Sequence, residues 1–135
     1  MRKIKVALGS NDGKSIFPSH MGLSKDFYIY HLSEDGKYEI VEKRGNISPK
    51  ETKHGDTRKM KMVMEILKDC DVFVGRRLSP NFIKLRDNTK FQPVVTDIES
   101  ISEFMEALSK SFDKIYTLVD SRRRGERPKE IPVIK

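Results

Sequence analysis

Three histidines and one cysteine are the side chains of this chain best suited to metal chemistry: His20, His31, His54 and Cys70. None has the partner spacing of a zinc site, since the chain contains neither Cys-x-x-Cys nor His-x-x-x-His. A single His or Cys offered to a preformed metal cluster needs no spacing motif, and imidazole and thiolate are both suitable ligands for iron–sulfur chemistry. The residue types therefore favour contact with a preformed cluster over a self-contained zinc site.

Position in the chain separates these four groups. His20 lies in a long Gly/Ser/Asn/Asp/Pro loop between two predicted strands, and long ordered loops are often functional. His54 precedes Gly55 ahead of a predicted helix, so it is a weaker candidate. His31 falls inside a strand and is expected to be structural, while Cys70 precedes a buried strand, where packing as a small hydrophobe is its default role.

A second candidate site follows the strand that ends at Gly75. The run Gly75-Arg76-Arg77 leads to a helix start at Ser79-Pro80, an N-cap followed by a first-turn proline. Helix N-termini attract anions, and arginine adds charge and fork-shaped donors. An anion-binding turn and a solvated basic turn both explain these residues.

Hydrolytic catalysis has little support in the sequence. No nucleophile elbow is present, and the first strand carries no central acid that could bind catalytic metals. Asp12, Asp26 and Asp71 are explained as turn and strand-end residues. We therefore expect a protein that is not an enzyme.

Local sequence patterns predict the strands and helices that must position these groups. Strands are predicted over Lys3–Gly9, Asp26–Leu32 and Tyr38–Arg44, with the turn Glu34–Lys37 making the last two a hairpin. A helix begins at Asp56 or Thr57 on the stripe Met60, Val63, Met64 and Leu67. Then come a short strand Val72–Val74, the helix after Ser79, and a strand Phe91–Thr96. A capping box at Ser100 opens one long helix or two in succession. The order predicts an α/β fold: a five-stranded mixed sheet, an antiparallel meander plus parallel strands, flanked by helices.

The length and composition of the chain limit the classes of protein to which it can belong. The 135 residues fit one domain, assigned to residues 1–120, followed by a basic C-terminal tail at residues 121–135 that is disordered or docked on a partner. With 35% charged and 36% hydrophobic residues, the chain is either a robust protein with surface ion pairs or a domain plus a solvated tail. One cysteine excludes an internal disulfide and predicts a reducing cytoplasm, and no segment is long enough to span a membrane.

The net charge of +7 makes acidic partners a second possibility. Much of the excess lies near the C-terminus, above all in the run Arg122–Arg124. This pattern predicts, as an alternative function, a basic interaction module that binds nucleic acid or an acidic protein through Arg122–Arg124, Arg76 and Arg77. Aromatic residues are not interleaved with the basic tail, and no nucleic-acid reader motif is present.

Several motifs follow one another in a specific order: the first strand KIKVALGSNDGKSI, the Pro-x-x-His-x-Gly element within PSHMGLSKDFYIYHL, His54-Gly55, the Asp-Cys-Asp-Val strand at Asp69–Val72, and the Pro-Val-Val-Thr strand before the last helical region. In this order and spacing the chain resembles the dinitrogenase iron–molybdenum cofactor biosynthesis family. The resemblance extends from about Ile4 to Val119. It departs after Gly75, where arginines replace the family's glycine-rich turn, so either the ligand differs or arginine holds an anionic part of it.

The resemblance implies a ribonuclease-H-like fold without nuclease activity, and a non-enzymatic protein that binds or carries an iron–sulfur or iron–molybdenum cluster. It makes His20 the metal contact, with Gly22 allowing close approach. Arg76 and Arg77 would hold an anionic part, while His54 and Cys70 are weaker contacts. A metallocluster donor or acceptor protein is the implied partner.

Overall fold

Within residues 1–48 and 57–135, which the computed structural model describes, six strands form one mixed sheet. The strands are β1 (Lys3–Ser10), β2 (Asp26–Ser33), β3 (Tyr38–Gly45), β4 (Val72–Gly75), β5 (Gln92–Thr96) and β6 (Val133–Ile134). Their order across the sheet is β3-β2-β1-β4-β5-β6. The pairs β1–β2 and β2–β3 are antiparallel, and β1–β4, β4–β5 and β5–β6 are parallel. The predicted α/β fold and mixed sheet are confirmed.

Four helices formed by the described residues cover the two faces of the sheet. They are α1 (Thr57–Ile66), α2 (Pro80–Asn88), α3 (Ile101–Ser109) and α4 (Phe112–Arg123). Apolar residues of α3 and α4 pack with one face of the sheet, and those of α1 and α2 pack with the other. The helical region after Ser100 is thus two helices in succession, and the N-caps at Ser79 and Ser100 each accept a hydrogen bond from a first-turn amide.

The alternation of β1 explains why it lies in the middle of the sheet. Ile4, Val6 and Leu8 join the core beneath α3 and α4, whereas Ala7 joins the core beneath α1. Both faces of the strand are therefore buried. β3 is the opposite case: it is an exposed edge strand, and its register with β2 shifts so that Val41 is an extra, bulged residue.

The prediction of five strands was wrong by one, because the last strand lies in the segment expected to be a tail. α4 extends to Arg123, and Val133–Ile134 then pairs with β5. Val95 N donates to Pro132 O at 3.0 Å, and Thr96 Oγ1 donates to Ile134 O at 2.6 Å. A two-residue strand has no alternation to detect, so the sequence pattern could not reveal it.

Arg122 fixes this C-terminal segment to the rest of the domain. It is 2% exposed, and its guanidinium donates to Gln92 Oε1 and to the carbonyl oxygens of Arg86, Thr89 and Pro128, at 2.7 to 3.0 Å. Burial of the charge lowers the pKa of Arg122 to about 10. Neutral acceptor oxygens from four residues therefore offset part of the cost of burying this cation.

Candidate functional site

A cavity of about 110 Å³ opens where the loop after β1 meets the turn after β4. Its walls come from residues 20–23, from the first part of α1, and from the segment that joins β4 to α2. The chain leaves β1 toward β2 and leaves β4 toward β5, in opposite directions across the sheet. A crevice at such a switch point, outside the carboxyl ends of parallel strands, is the usual ligand site of open α/β sheets. The cavity has room for several water molecules.

His20 presents its side chain at the mouth of this cavity. It is exposed, has extended backbone angles, and directly precedes a single 3₁₀ turn at Met21–Leu23. Its carbonyl oxygen accepts a 3.0 Å hydrogen bond from Leu23 N. The imidazole has no hydrogen-bond partner among the described residues, so its ring nitrogens are available to a ligand.

Core packing and hydrogen bonds fix the position of the 3₁₀ turn that follows His20. Met21 is 2% exposed and packs in the core beneath α1 and α2. Ser24 Oγ donates to Met21 O at 2.8 Å, and the Asn46 amide donates to the carbonyl oxygens of Gly22 and Ser24, each at 2.8 Å. An anchored turn presents His20 in one place, which favours binding because little order is lost when a ligand arrives.

Gly22 lines the cavity, as the predicted site requires. A Cβ at this position would lie 3.6 Å from Lys59 Cε and 3.7 Å from Val63 Cγ2, which is ordinary contact. Packing within the protein therefore does not demand glycine at residue 22. Gly9 differs, because its Cβ would approach Ser24 Oγ to 2.4 Å. The missing side chain of Gly22 leaves space on the cavity side, where a ligand can come close.

Cationic side chains give the cavity its electrostatic character. Lys59, Arg77 and Lys84 line it, and no aspartate or glutamate does so among the described residues. Lys59 Nζ donates to Ser48 Oγ at 3.1 Å, whereas the side chains of Arg77 and Lys84 have no hydrogen bond or ion pair within residues 1–48 and 57–135. The charges of Arg77 and Lys84, which have no ion pair among the described residues, disfavour a bare metal cation and favour an anionic group.

The N-terminus of α2 also borders the cavity but adds little to anion binding. Pro80 has no N–H, and Phe82 N already donates to Ser79 Oγ at 3.2 Å. The side-chain cations therefore dominate the attraction for an anion.

The remaining predicted site residues lie apart from the cavity or outside the described part of the chain. Arg76 is half-buried and donates from Nη2 to Asp97 O at 3.3 Å, so it turns away from Arg77. Cys70 is 1% exposed and lies about 15 Å from Gly75, beyond the opposite end of β4. Burial raises the pKa of the Cys70 thiol to about 12, so the thiolate is scarce at neutral pH. His54 lies outside the described residues.

The three aspartates considered as candidates for hydrolysis, Asp12, Asp26 and Asp71, do not form one cluster. Asp26 pairs in register with Ser10 at the carboxyl end of β1. Asp71 N donates to Lys5 O near the amino end of the same strand. Asp12 accepts from the amides of Lys14 and Ser15 in its own loop. In the described parts of the chain, no group of three or more His, Cys, Asp or Glu side chains could hold a metal ion.

Sequence reasoning did not select Lys59, Met60 and Lys84, although all three line the cavity. Lys84 follows Asn81 by three residues on α2, a spacing that puts both side chains on one helix face. Lys59 and Met60 lie in the first turn of α1, where the apolar stripe assigns Met60 to the core. Nothing in the sequence shows that these two helix starts face the same loop.

The basic run Arg122–Arg124, on which the alternative function relied, is engaged within the domain. Arg122 is buried, Arg123 Nη2 lies 3.2 Å from Asp71 Oδ1, and Arg124 Nη1 lies 2.7 Å from Asp120 Oδ2. The structure gives no support to a nucleic-acid surface at this run.

Together, the mixed sheet and the cavity at its switch point describe a small α/β protein whose cavity is lined by cationic side chains. The chain matches the model of the family described as dinitrogenase iron-molybdenum cofactor over residues 2–111, and it belongs to that family. The matched region contains every segment that lines the cavity. Membership links the chain to handling of an iron–molybdenum cofactor. No curated protein and no solved structure shows significant similarity to it.

None of the helices in residues 1–48 and 57–135 combines the length and the apolar character that crossing a bilayer requires.

Proposed function

We propose that this protein binds and carries an anionic iron–sulfur or iron–molybdenum cluster in the cavity, and that it catalyses no reaction on that cargo. One observation carries the proposal: the imidazole of His20 shares a single cavity with three cationic side chains and no described carboxylate. An imidazole suits iron, and the cations suit the negative charge of a metal–sulfur cluster.

Each residue has a distinct role in this proposal. His20 supplies the metal-binding nitrogen, and Gly22 leaves space for the cluster to approach the turn. Arg77 and Lys84, with Lys59, balance the cluster's charge as point charges or forked donors. We keep His54 as a predicted contact. Arg76 and Cys70 are omitted because neither lines the cavity.

An exposed ligand at an open mouth suits a carrier rather than an enzyme. A carrier must release its cargo, and His20 lies at the surface where an acceptor can reach the cluster. No described carboxylate lies in the cavity to act with His20 as an acid–base pair. The proposed setting is a reducing cytoplasm, and the proposed partner is a protein that donates or accepts the cluster.

Anaerobic reconstitution tests the proposal. The purified protein is incubated with iron, sulfide and reductant, and bound iron and sulfide are measured together with the visible and electron paramagnetic resonance spectra. We expect a cluster on the wild-type protein and affinity about tenfold lower or worse in His20→Ala. The matched control is His31→Ala, because His31 lies on β2 and does not line the cavity.

Two results would contradict the proposal. One is negligible cluster binding by wild-type protein and His20→Ala alike. The other is equal loss of the cluster in His20→Ala and His31→Ala, which would indicate that histidine replacement acts through folding. Circular dichroism of each variant separates folding from ligation.

A further inference from the structure

We propose that the surface around the cavity mouth docks an acidic protein that itself bears an iron–sulfur cluster. This surface, called the rim below, consists of Leu23, Ile47, Arg77, Leu78 and Lys84. The inference rests on the proposed function, because it names the partner with which the cavity would exchange its cargo. It is carried by the arrangement of exposed apolar and cationic side chains at one opening.

Aliphatic side chains stand unusually exposed on the rim. Leu23 is 47% exposed, Ile47 is 77% exposed and Leu78 is 59% exposed. Leu23 lines the cavity itself, and Leu78 lies between the lining residues Arg77 and Ser79. Apolar residues grouped at a binding site and bordered by polar ones mark an interaction surface.

Ile47 joins this group through the contacts of its neighbours. The Asn46 amide bonds to the carbonyl oxygen of Gly22, and Lys59 Nζ bonds to Ser48 Oγ. The segment 46–48 therefore lies along the cavity turn and the beginning of α1. The exposed residue Ile47 thus lies in a segment that runs beside the turn containing Leu23.

The charge of the rim selects an acidic occupant. Arg77 and Lys84 have no ion pair within the described residues, and the cavity between them holds no described carboxylate. An acidic surface brought against them gains attraction and faster association. The net charge of +7 acts in the same direction at longer range.

Other occupants fit the rim less well. A second copy related by a two-fold axis would bring one basic rim against another, which is repulsive. Nucleic acid offers charge, but proteins bind single strands by stacking bases on aromatic rings, and the rim's apolar members are aliphatic. An acidic protein surface with an apolar centre satisfies both the charge and the exposed aliphatic residues.

The test measures docking directly, with cluster-free protein and an acidic [2Fe–2S] ferredoxin as the probe, by isothermal titration calorimetry at low ionic strength. We expect binding that weakens about tenfold when salt is raised to about 0.3 M. Leu78→Ser and the pair Arg77→Glu with Lys84→Glu should each raise Kd about tenfold or more.

Matched controls lie on other parts of the surface. Val133, on β6, is 58% exposed, close to Leu78, and Lys110 is an exposed lysine at the end of α3. Val133→Ser and Lys110→Glu should leave Kd unchanged. The docking proposal is overturned by absence of ferredoxin binding, or by equal effects of rim and control variants. It is also overturned if a DNA duplex binds as tightly through the rim, or if rim variants instead abolish self-association.

Cluster uptake is measured separately by chemical reconstitution, without ferredoxin. Leu78→Ser should load a cluster as well as wild type does, because Leu78 does not line the cavity. Failure of reconstitution in the wild-type protein defeats the proposed function, whereas normal reconstitution with no ferredoxin binding defeats only the docking proposal.

Discussion

The side-chain amide of Asn46 donates a 2.8 Å hydrogen bond to the carbonyl oxygen of Gly22, which lies 24 residues earlier in the chain. A second 2.8 Å bond from the same amide reaches Ser24 O. Asn46 directly follows β3, so these bonds tie the edge of the sheet to the turn that presents His20. The position of a candidate metal ligand thus depends on a residue that never touches the cavity.

Asn46→Ala should therefore affect both stability and binding. The variant loses the two half-buried hydrogen bonds that the amide donates and the two that Asn46 Oδ1 accepts from Ser48, and we expect unfolding to be easier by about 1–2 kcal/mol, measured in urea. Cluster affinity should fall because the turn is less well ordered. Asn88→Ala, at an exposed position near the end of α2, should change neither quantity. An Asn46→Ala protein with wild-type stability would contradict this role.

Gly22→Ala should separate binding from folding. Its methyl group meets only ordinary contacts at 3.6 and 3.7 Å, so the free energy of unfolding should change by less than about 1 kcal/mol. The methyl group occupies space beside Lys59, and cluster affinity should drop. Gly9→Ala should instead destabilise the fold by about 2 kcal/mol or more, because its Cβ collides with Ser24. Unchanged cluster affinity in Gly22→Ala would show that the ligand stays clear of the turn.

Arg122→Ala should be the most destabilising of these changes. It leaves Gln92 Oε1 and three backbone carbonyl groups without their donor, and we expect a loss of about 3 kcal/mol. Arg122→Lys should recover little, since an ammonium cannot reproduce the guanidinium fork. The neighbouring Arg124→Ala breaks only exposed ion pairs and should be nearly silent in the same urea titration. Similar losses of stability in Arg122→Ala and Arg124→Ala would contradict the structural role given to Arg122.

Asp87 should make stability sensitive to acid. Hydrogen bonds from Arg86 and then Lys129 lower its pKa from 3.8 to about 2. Because the folded-state pKa lies below the unfolded value, this contribution is present above about pH 4 and is lost as pH falls through about 2. Urea midpoints measured across that range should fall less steeply for Asp87→Asn than for wild type. Asp97→Asn, which removes no ion pair among the described residues, should keep the wild-type slope.

Cys70 should be unreactive in the folded protein. Burial raises the pKa of its thiol to about 12, so native protein at pH 8 should react with a disulfide reagent only as fast as it unfolds. Cys70→Ala should load a cluster normally, because the thiol lies at the end of β4 far from the cavity. Rapid labelling of native protein would contradict the low reactivity of Cys70, and loss of the cluster in Cys70→Ala would indicate that Cys70 is a ligand.

Local patterns predicted most elements of the fold but not how their ends meet. Alternation identified β1, aromatic and β-branched residues identified β2, and side-chain caps located α2 and α3. The choice between Arg76 and Arg77 was beyond the sequence, since side-chain direction in an irregular turn follows no period. Arg122 looked like one member of a solvated basic run, and only its neutral acceptors, from residues 86 to 128, explain its burial.

The bulged residue Val41 bends the exposed edge of β3, where Ile40 and Val41 are 54% and 42% exposed. A straight edge with such side chains would offer a neighbouring molecule a row of unpaired backbone groups. The bulge interrupts that row and increases the local twist. Concentrated solutions of this protein consequently lack, at β3, a regular template on which intermolecular sheets and fibrils grow.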